Sequence, residues 1–114
     1  MINHVIISKN FQKEAKDLLK KFHTLKESID SIISKLIEDP HCGDPYGQKI
    51  YKVRLADKSK GGGKSGGFRI LYYHLIKNEE GITILLMSIF DKSEHATITK
   101  SEAVKKLNKI LDEL

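Results

Sequence analysis

The chain has 114 residues, 39% apolar and 31% charged, a balance that suits one soluble globular domain over 1–114 and argues against two domains or a disordered tail. Its longest nearly apolar run, Ile82 to Phe90, is far short of the ~20 residues of a membrane helix, no signal peptide is legible, and the lone Cys42 cannot close an internal disulfide, so membrane insertion, secretion and a disulfide scaffold are set aside and a cytoplasmic location is expected. The formal charge is +5, and all of the excess lies between Lys49 and Arg69, where seven basic residues stand against one acid, Asp57; such a block suits a polyanion-binding surface.

Val5, Ile6 and Ile7 form a β-branched run too short for a helix and fit for a strand. Ser8 or Asn10 is placed to cap a helix in which Phe11, Ala15, Leu18, Leu19, Phe22 and Leu25 recur at helical spacing. A second stripe, Leu25, Ile29, Ile32, Ile33, Leu36 and Ile37, predicts a second helix. Thr24 with Glu27 three residues on has the form of a capping box and sets the break between the two. Asp39-Pro40 ends the second helix, because the residue before a proline is pushed out of the α region. An antiparallel helical hairpin is the expected product.

His41 to Lys49 is rich in Gly, Pro, Asp and Gln and reads as a connecting loop. From Ile50 to Leu55 the side chains alternate, so that Tyr51, Val53 and Leu55 enter the core while Lys52 and Arg54 share the opposite face. Lys58 to Gly67 is a glycine-rich basic turn. Phe68–Ile76 and Ile82–Phe90 read as two strands joined through Lys77–Gly81. Arg69 can join the face of Lys52 and Arg54 if the strand register cooperates. Thr99 and Glu102 form another capping box, opening an amphipathic helix through Ala103, Leu107, Ile110, Leu111 and Leu114. The order predicts an α+β fold, β-α-α-β-β-β-α: a small, mostly antiparallel sheet backed on one face by an N-terminal helical hairpin and a C-terminal helix.

Several chemistries can be weighed against these elements. Gly63-Lys64-Ser65 has the superficial look of a Walker A ending, but the earlier glycine and the following helix are missing. A basic hairpin tip gripping a phosphodiester backbone fits better. His41 and Cys42 are adjacent without a second cysteine, so no structural zinc site is expected. His74 reads as a half-buried strand residue and His95 as a surface histidine ahead of a catalytic one. Asp57, Asp91 and Glu94 are too scattered for a metal-ion nuclease. No metal and no cofactor is expected; cleavage of nucleic acid by this chain would run on cations.

Lys52-Val53-Arg54-Leu55, then Gly63-Lys64-Ser65-Gly66-Gly67-Phe68-Arg69-Ile70-Leu71-Tyr72-Tyr73, then Leu85 to Glu94 resemble the RelE/HigB-like toxins of bacterial type II toxin–antitoxin modules. The HigB-like branch is the nearest, and Asp39-Pro40 with Gly43-Asp44 also fits it. The resemblance covers Asp39 to Glu94, and the flanking helices by order alone. It implies a small sheet backed by helices and a ribosome-dependent mRNA endoribonuclease, in which a ribose 2′-OH attacks the adjacent phosphorus to leave a 2′,3′-cyclic phosphate. Arg69 matches the arginine of the family's Gly-x-Arg-x-x-Tyr strand and is the implied phosphate stabiliser. Arg54 matches the second basic position of the early strand, and Lys92 the basic position at the final strand end. Lys52 is the candidate base, since neighbouring cations disfavour another ammonium. His95 is a secondary catalytic candidate, standing just beyond Lys92 where better-known members carry Arg or Tyr. Lys49, Lys58, Lys60 and Lys64 are assigned to RNA backbone, and Tyr72 to stacking on a nucleotide.

The implied partners are the ribosome, mRNA and a cognate antitoxin, a DNA-binding protein encoded next to the toxin. Two other readings stay open: a non-enzymatic gyrase-poisoning toxin of the related ParE-like kind, and an inactive basic RNA-binding module.

Overall fold

The run Ile82–Phe90 is apolar at nearly every position rather than at alternate ones, so both faces of that strand need cover. The computed structural model, which describes residues 2–57, 67–92 and 98–114, provides it. The elements are β1 (His4–Ile7), α1 (Lys9–Leu19), α2 (Leu25–Glu38), β2 (Asp44–Pro45), β3 (Ile50–Leu55), β4 (Phe68–Asn78), β5 (Gly81–Asp91) and α3 (Lys100–Asp112). The strands form one sheet in the order β1-β5-β4-β3-β2. β1 runs parallel to β5, and the other pairs are antiparallel. This is the expected α+β architecture.

One expectation needs correction. The helices do not all lie on one face. Phe11, Leu25 and Leu36 of α1 and α2 pack with Val53, Phe68, Ile70, Tyr72, Ile84 and Leu86 on one side of the sheet. Ala103, Leu107 and Ile110 of α3 pack with Ile50, Leu71, Leu85 and Met87 on the other. The physical reason is the central hairpin itself: with β4 and β5 apolar on both faces, helices on one side only would leave Leu71, Leu85 and Met87 in water. Each is fully buried, and burying a side chain of that size is worth roughly 1.5–3 kcal/mol. A bulge in β5 opposite Leu71 and Tyr72 resets the alternation, returning Ile89 to the α1/α2 core and Phe90 to the α3 side.

Two helix starts follow the sequence pattern. The Ser8 hydroxyl accepts from the Phe11 amide at 3.0 Å and caps α1, and Thr99 with Glu102 forms the full capping box of α3. Thr24 does not cap α2. Its backbone is already helical, and its hydroxyl donates instead to the carboxylate of buried Asp57 at 2.7 Å, beside Ser28 at 2.6 Å. A carboxylate borrowed from the end of β3 thus sits against the N-terminal turn of α2, where the helix dipole favours negative charge.

The segment read as a connecting loop contains β2. Gly47, Gln48 and Lys49 all have positive φ (85°, 49° and 67°), which turns the chain sharply from β2 into β3. The β4–β5 hairpin is tighter than expected, with both strands extended to Asn78 and Gly81 and only Glu79 and Glu80 between them. Among the described residues, no helix is long and apolar enough to cross a membrane.

Candidate active site

Register decides which cations meet. β3 and β4 set Arg54 directly opposite Arg69 and Lys52 opposite Leu71, and β5 sets Phe90 opposite Arg69. Directly opposed residues share a face, so Lys52, Arg54 and Arg69 all project to the α3 side. Lys92 follows the end of β5, its amide donating to the Gly67 carbonyl at 3.2 Å. These four cations, with Asp44, Phe90 and Ile98, line one cleft of about 190 Å³. The four cations alone come from three separate stretches of sequence.

Arg69 is the innermost, 5% exposed, with Nη1 donating to the Phe68 carbonyl at 3.1 Å. Burial, and then the guanidinium of Arg54, push its pKa below the ordinary arginine value. A guanidinium so placed still carries its charge, as arginine does throughout folded proteins. Two guanidinium groups on neighbouring strands repel one another, and an anion entering the cleft relieves both. The fork of an arginine suits two phosphate oxygens at once.

Lys52 is positioned differently. Its Nζ lies 4.8 Å from the centroid of the Tyr46 ring, and Lys100 of α3 approaches the same ring at 5.9 Å, both within the range of a cation–π contact. The Tyr46 hydroxyl donates to the Ile98 carbonyl, so the ring ties the β2 segment to the chain entering α3. The cleft therefore combines one held guanidinium, that of Arg69, and a more exposed one, that of Arg54, with an ammonium held against an aromatic face. That set can bind phosphoryl oxygens, steady developing charge and exchange a proton with a departing oxygen.

The approach to β2 is held closely. The Tyr72 hydroxyl donates to the Pro40 carbonyl at 3.0 Å and accepts from the Gly43 amide at 2.9 Å. A Cβ at Gly43 would lie 2.9 Å from both the Lys52 carbonyl and the Tyr72 hydroxyl, so only glycine fits. Asp44 follows directly, opposite Lys52 in the register. On this helical face, Tyr51 stacks on His74 with ring centroids 4.4 Å apart, and His74 Nε2 meets the Pro40 carbonyl at 2.7 Å.

No family model matches the sequence, and no curated protein does. Among solved structures, the chain is similar to the E. coli toxin RelE, in a double arginine-to-alanine mutant in the free state: TM-score 0.60, 21% identity, 94% of this chain covered and 99% of that one. The fold is RelE-like.

Within this RelE-like sheet the expected site residues fall into three groups. Lys52, Arg54, Arg69 and Lys92 come together. Lys49 stands at the opposite end of β3 from Arg54, five residues away or roughly 16 Å along a strand, and does not line the cleft. Lys58, Lys60, Lys64 and His95 lie outside the described residues. Tyr72 is a correction. It is fully buried on the α1/α2 face, its ring against Tyr51 and its hydroxyl engaged with Pro40 and Gly43, so it presents no surface on which a nucleotide could stack. Its strand parity is opposite to that of Arg69, because three positions separate them and the sheet alternates by two.

Asp44 and Ile98 line the cleft, and Tyr46 lies under Lys52 beside it, three residues that the sequence pattern did not single out. A two-residue strand has no periodicity to read. The available signal was chemical: an aspartate between an obligate glycine and a proline. A larger trough of about 490 Å³ lies on the other side of the sheet, lined by Phe11, Ala15, Leu19 and Ile29 with lysines at its rim. Its floor is apolar and offers nothing that would polarise a phosphate. Among the described residues, no three His, Cys, Asp or Glu side chains group to hold a metal ion.

Proposed function

We propose that this protein is the toxin of a type II toxin–antitoxin module, of the HigB-like branch, and that it cleaves mRNA on the ribosome. The reading draws on the RelE-like fold and on one observation above all: Lys52, Arg54, Arg69 and Lys92 line the same cleft although they come from β3, β4 and the residue after β5. In the proposed reaction a ribose 2′-OH attacks the adjacent phosphorus and the 5′ oxygen leaves, giving a 2′,3′-cyclic phosphate. Arg69 and Arg54 hold the non-bridging oxygens and stabilise their charge as the phosphorane forms. An ammonium, Lys52 or Lys92, supplies the proton to the leaving oxygen. No metal takes part. His95 is a further candidate for proton transfer, and Lys49, Lys58, Lys60 and Lys64 are candidates for backbone contacts.

The proposed partner in the cell is an antitoxin with an acidic segment that covers the cleft and satisfies its cations; the proposed location is the cytoplasm. The test is purified protein in a translating extract. The expected result is a set of mRNA cuts within the decoded frame, abolished when the scissile ribose carries a 2′-O-methyl group, with gyrase supercoiling untouched. Whole mRNA with blocked gyrase would replace this reading by the gyrase-poisoning one.

A further inference from the structure

An acidic side chain in a phosphate-binding cleft is a contradiction that needs a cause. Every carboxylate there repels the ligand, by about 1 kcal/mol at 4 Å even in bulk water and by more near a protein surface. Asp44 is nevertheless among the cleft residues, and among the described residues lining it no other is acidic. Its place is not loose. It stands directly opposite Lys52, with Cβ atoms about 5 Å apart by the geometry of such pairs and about 7–8 Å from the diagonal neighbour, Arg54. The segment that delivers it is pinned by the Tyr72 hydroxyl, admits only glycine at position 43, and has φ fixed by Pro45 immediately after.

The remaining described polar side chains of the cleft are guanidinium or ammonium groups, whose charged forms offer donors and no acceptor. A guanidinium does not give up its proton at neutral pH. The proposed reaction needs one group that takes a proton and one that gives one. Resting on that reading, we infer that Asp44 is the proton acceptor for the nucleophilic hydroxyl, and that Lys52, opposite it, serves as proton donor rather than base. The step balances. The Asp44 carboxylate takes the 2′-OH proton as the 2′ oxygen bonds to phosphorus, the bond from phosphorus to the 5′ oxygen breaks, and that oxygen leaves with a proton from an ammonium. Solvent then restores both groups.

The inference makes rate and affinity move in opposite directions, which a structural role for Asp44 would not do. In single-turnover cleavage of ribosome-bound mRNA, Asp44→Asn is expected to be slower by at least about 100-fold, within the usual range for a lost general base. Its affinity for the same complex carrying a 2′-O-methyl at the cut site should be equal or tighter, because a repulsive charge is gone. Asp44→Glu keeps the charge but displaces it by one methylene, and should lose about 10-fold in rate at unchanged affinity. Thermal melting confirms that both variants are folded. Cleavage by Asp44→Asn within threefold of wild type, or a parallel loss of rate and affinity, overturns the inference. Full activity of Asp44→Glu also overturns it, since a charge anywhere nearby would then suffice. If wild-type protein leaves mRNA whole, it is the endoribonuclease reading that fails instead.

Discussion

Arg54 and Arg69 stand directly opposite each other across β3 and β4, one exposed and the other 5% exposed. Like charges in that relationship destabilise a sheet by about 0.2–1 kcal/mol. Removing Arg69 relieves that repulsion and forfeits its bond to the Phe68 carbonyl, two changes of similar size and opposite sign. Arg69→Met should therefore keep stability within about 1 kcal/mol of wild type while cleavage falls by at least about 100-fold. Chemical denaturation and an mRNA cleavage assay on the same preparation check both halves. A folded, fully active Arg69→Met protein would remove this arginine from the site.

Tyr72→Phe separates packing from recognition. The hydroxyl serves Pro40 and Gly43 inside the fold, and its loss strands the Gly43 amide while His74 still serves the Pro40 carbonyl, a change that costs about 1–3 kcal/mol. The expected outcome is a lower denaturation midpoint with mRNA affinity unaltered under conditions where the variant is folded. A drop in affinity at unchanged stability would return the ring to the RNA surface.

The extent to which sequence disclosed this molecule follows from where periodicity exists. β3, β4, β5 and α3 are long enough for alternation or helical spacing to show, and in β3 the faces come out as read, with Val53 and Leu55 inward and Lys52 and Arg54 opposite. The convergence of Lys52, Arg54 and Arg69 was readable because strand parity is strict and the hairpin register aligned it. The second helical layer was readable in principle: consecutive apolar residues from Ile82 onward demand cover on both faces. β2 was not, since two residues carry no pattern. The Thr24–Glu27 pairing misled because a capping box is local, whereas the group that meets the Thr24 hydroxyl, Asp57, lies 33 residues away.

Gly43→Ala tests the delivery of the β2 segment. The added methyl would meet backbone and a buried phenol at 2.9 Å, and neither can yield cheaply. A destabilisation of about 1–3 kcal/mol is expected for such overpacking. Because Asp44 comes next in the chain, cleavage should fall further than the loss of folded protein accounts for. The measurement is the rate per folded molecule, taken from activity and near-ultraviolet circular dichroism together. A rate per folded molecule equal to wild type would mean that β2 can shift without consequence for the cleft.

His74 makes stability depend on pH in a direction the structure fixes. It is buried, with Nε2–H donating to the Pro40 carbonyl, its ring on Tyr51 and near Tyr72 and His41. Burial is the largest influence and lowers its pKa. The Pro40 bond raises it somewhat, and His41, Lys77 and Lys49 lower it again. A histidine whose folded pKa lies below its unfolded value of about 6.5 binds fewer protons when folded, so its contribution is complete above that pH. The contribution is then lost as pH falls toward the folded pKa, at about 1.4 kcal/mol for each unit by which that pKa is depressed. Thermal denaturation should show a midpoint that declines from pH 7.5 to pH 5.5, a window in which ordinary carboxylates, titrating near 4, remain ionised. His74→Gln keeps an N–H for Pro40 and cannot take up a charge, so its midpoint should vary less over the same window. An equally steep decline in His74→Gln would assign the pH dependence to another group.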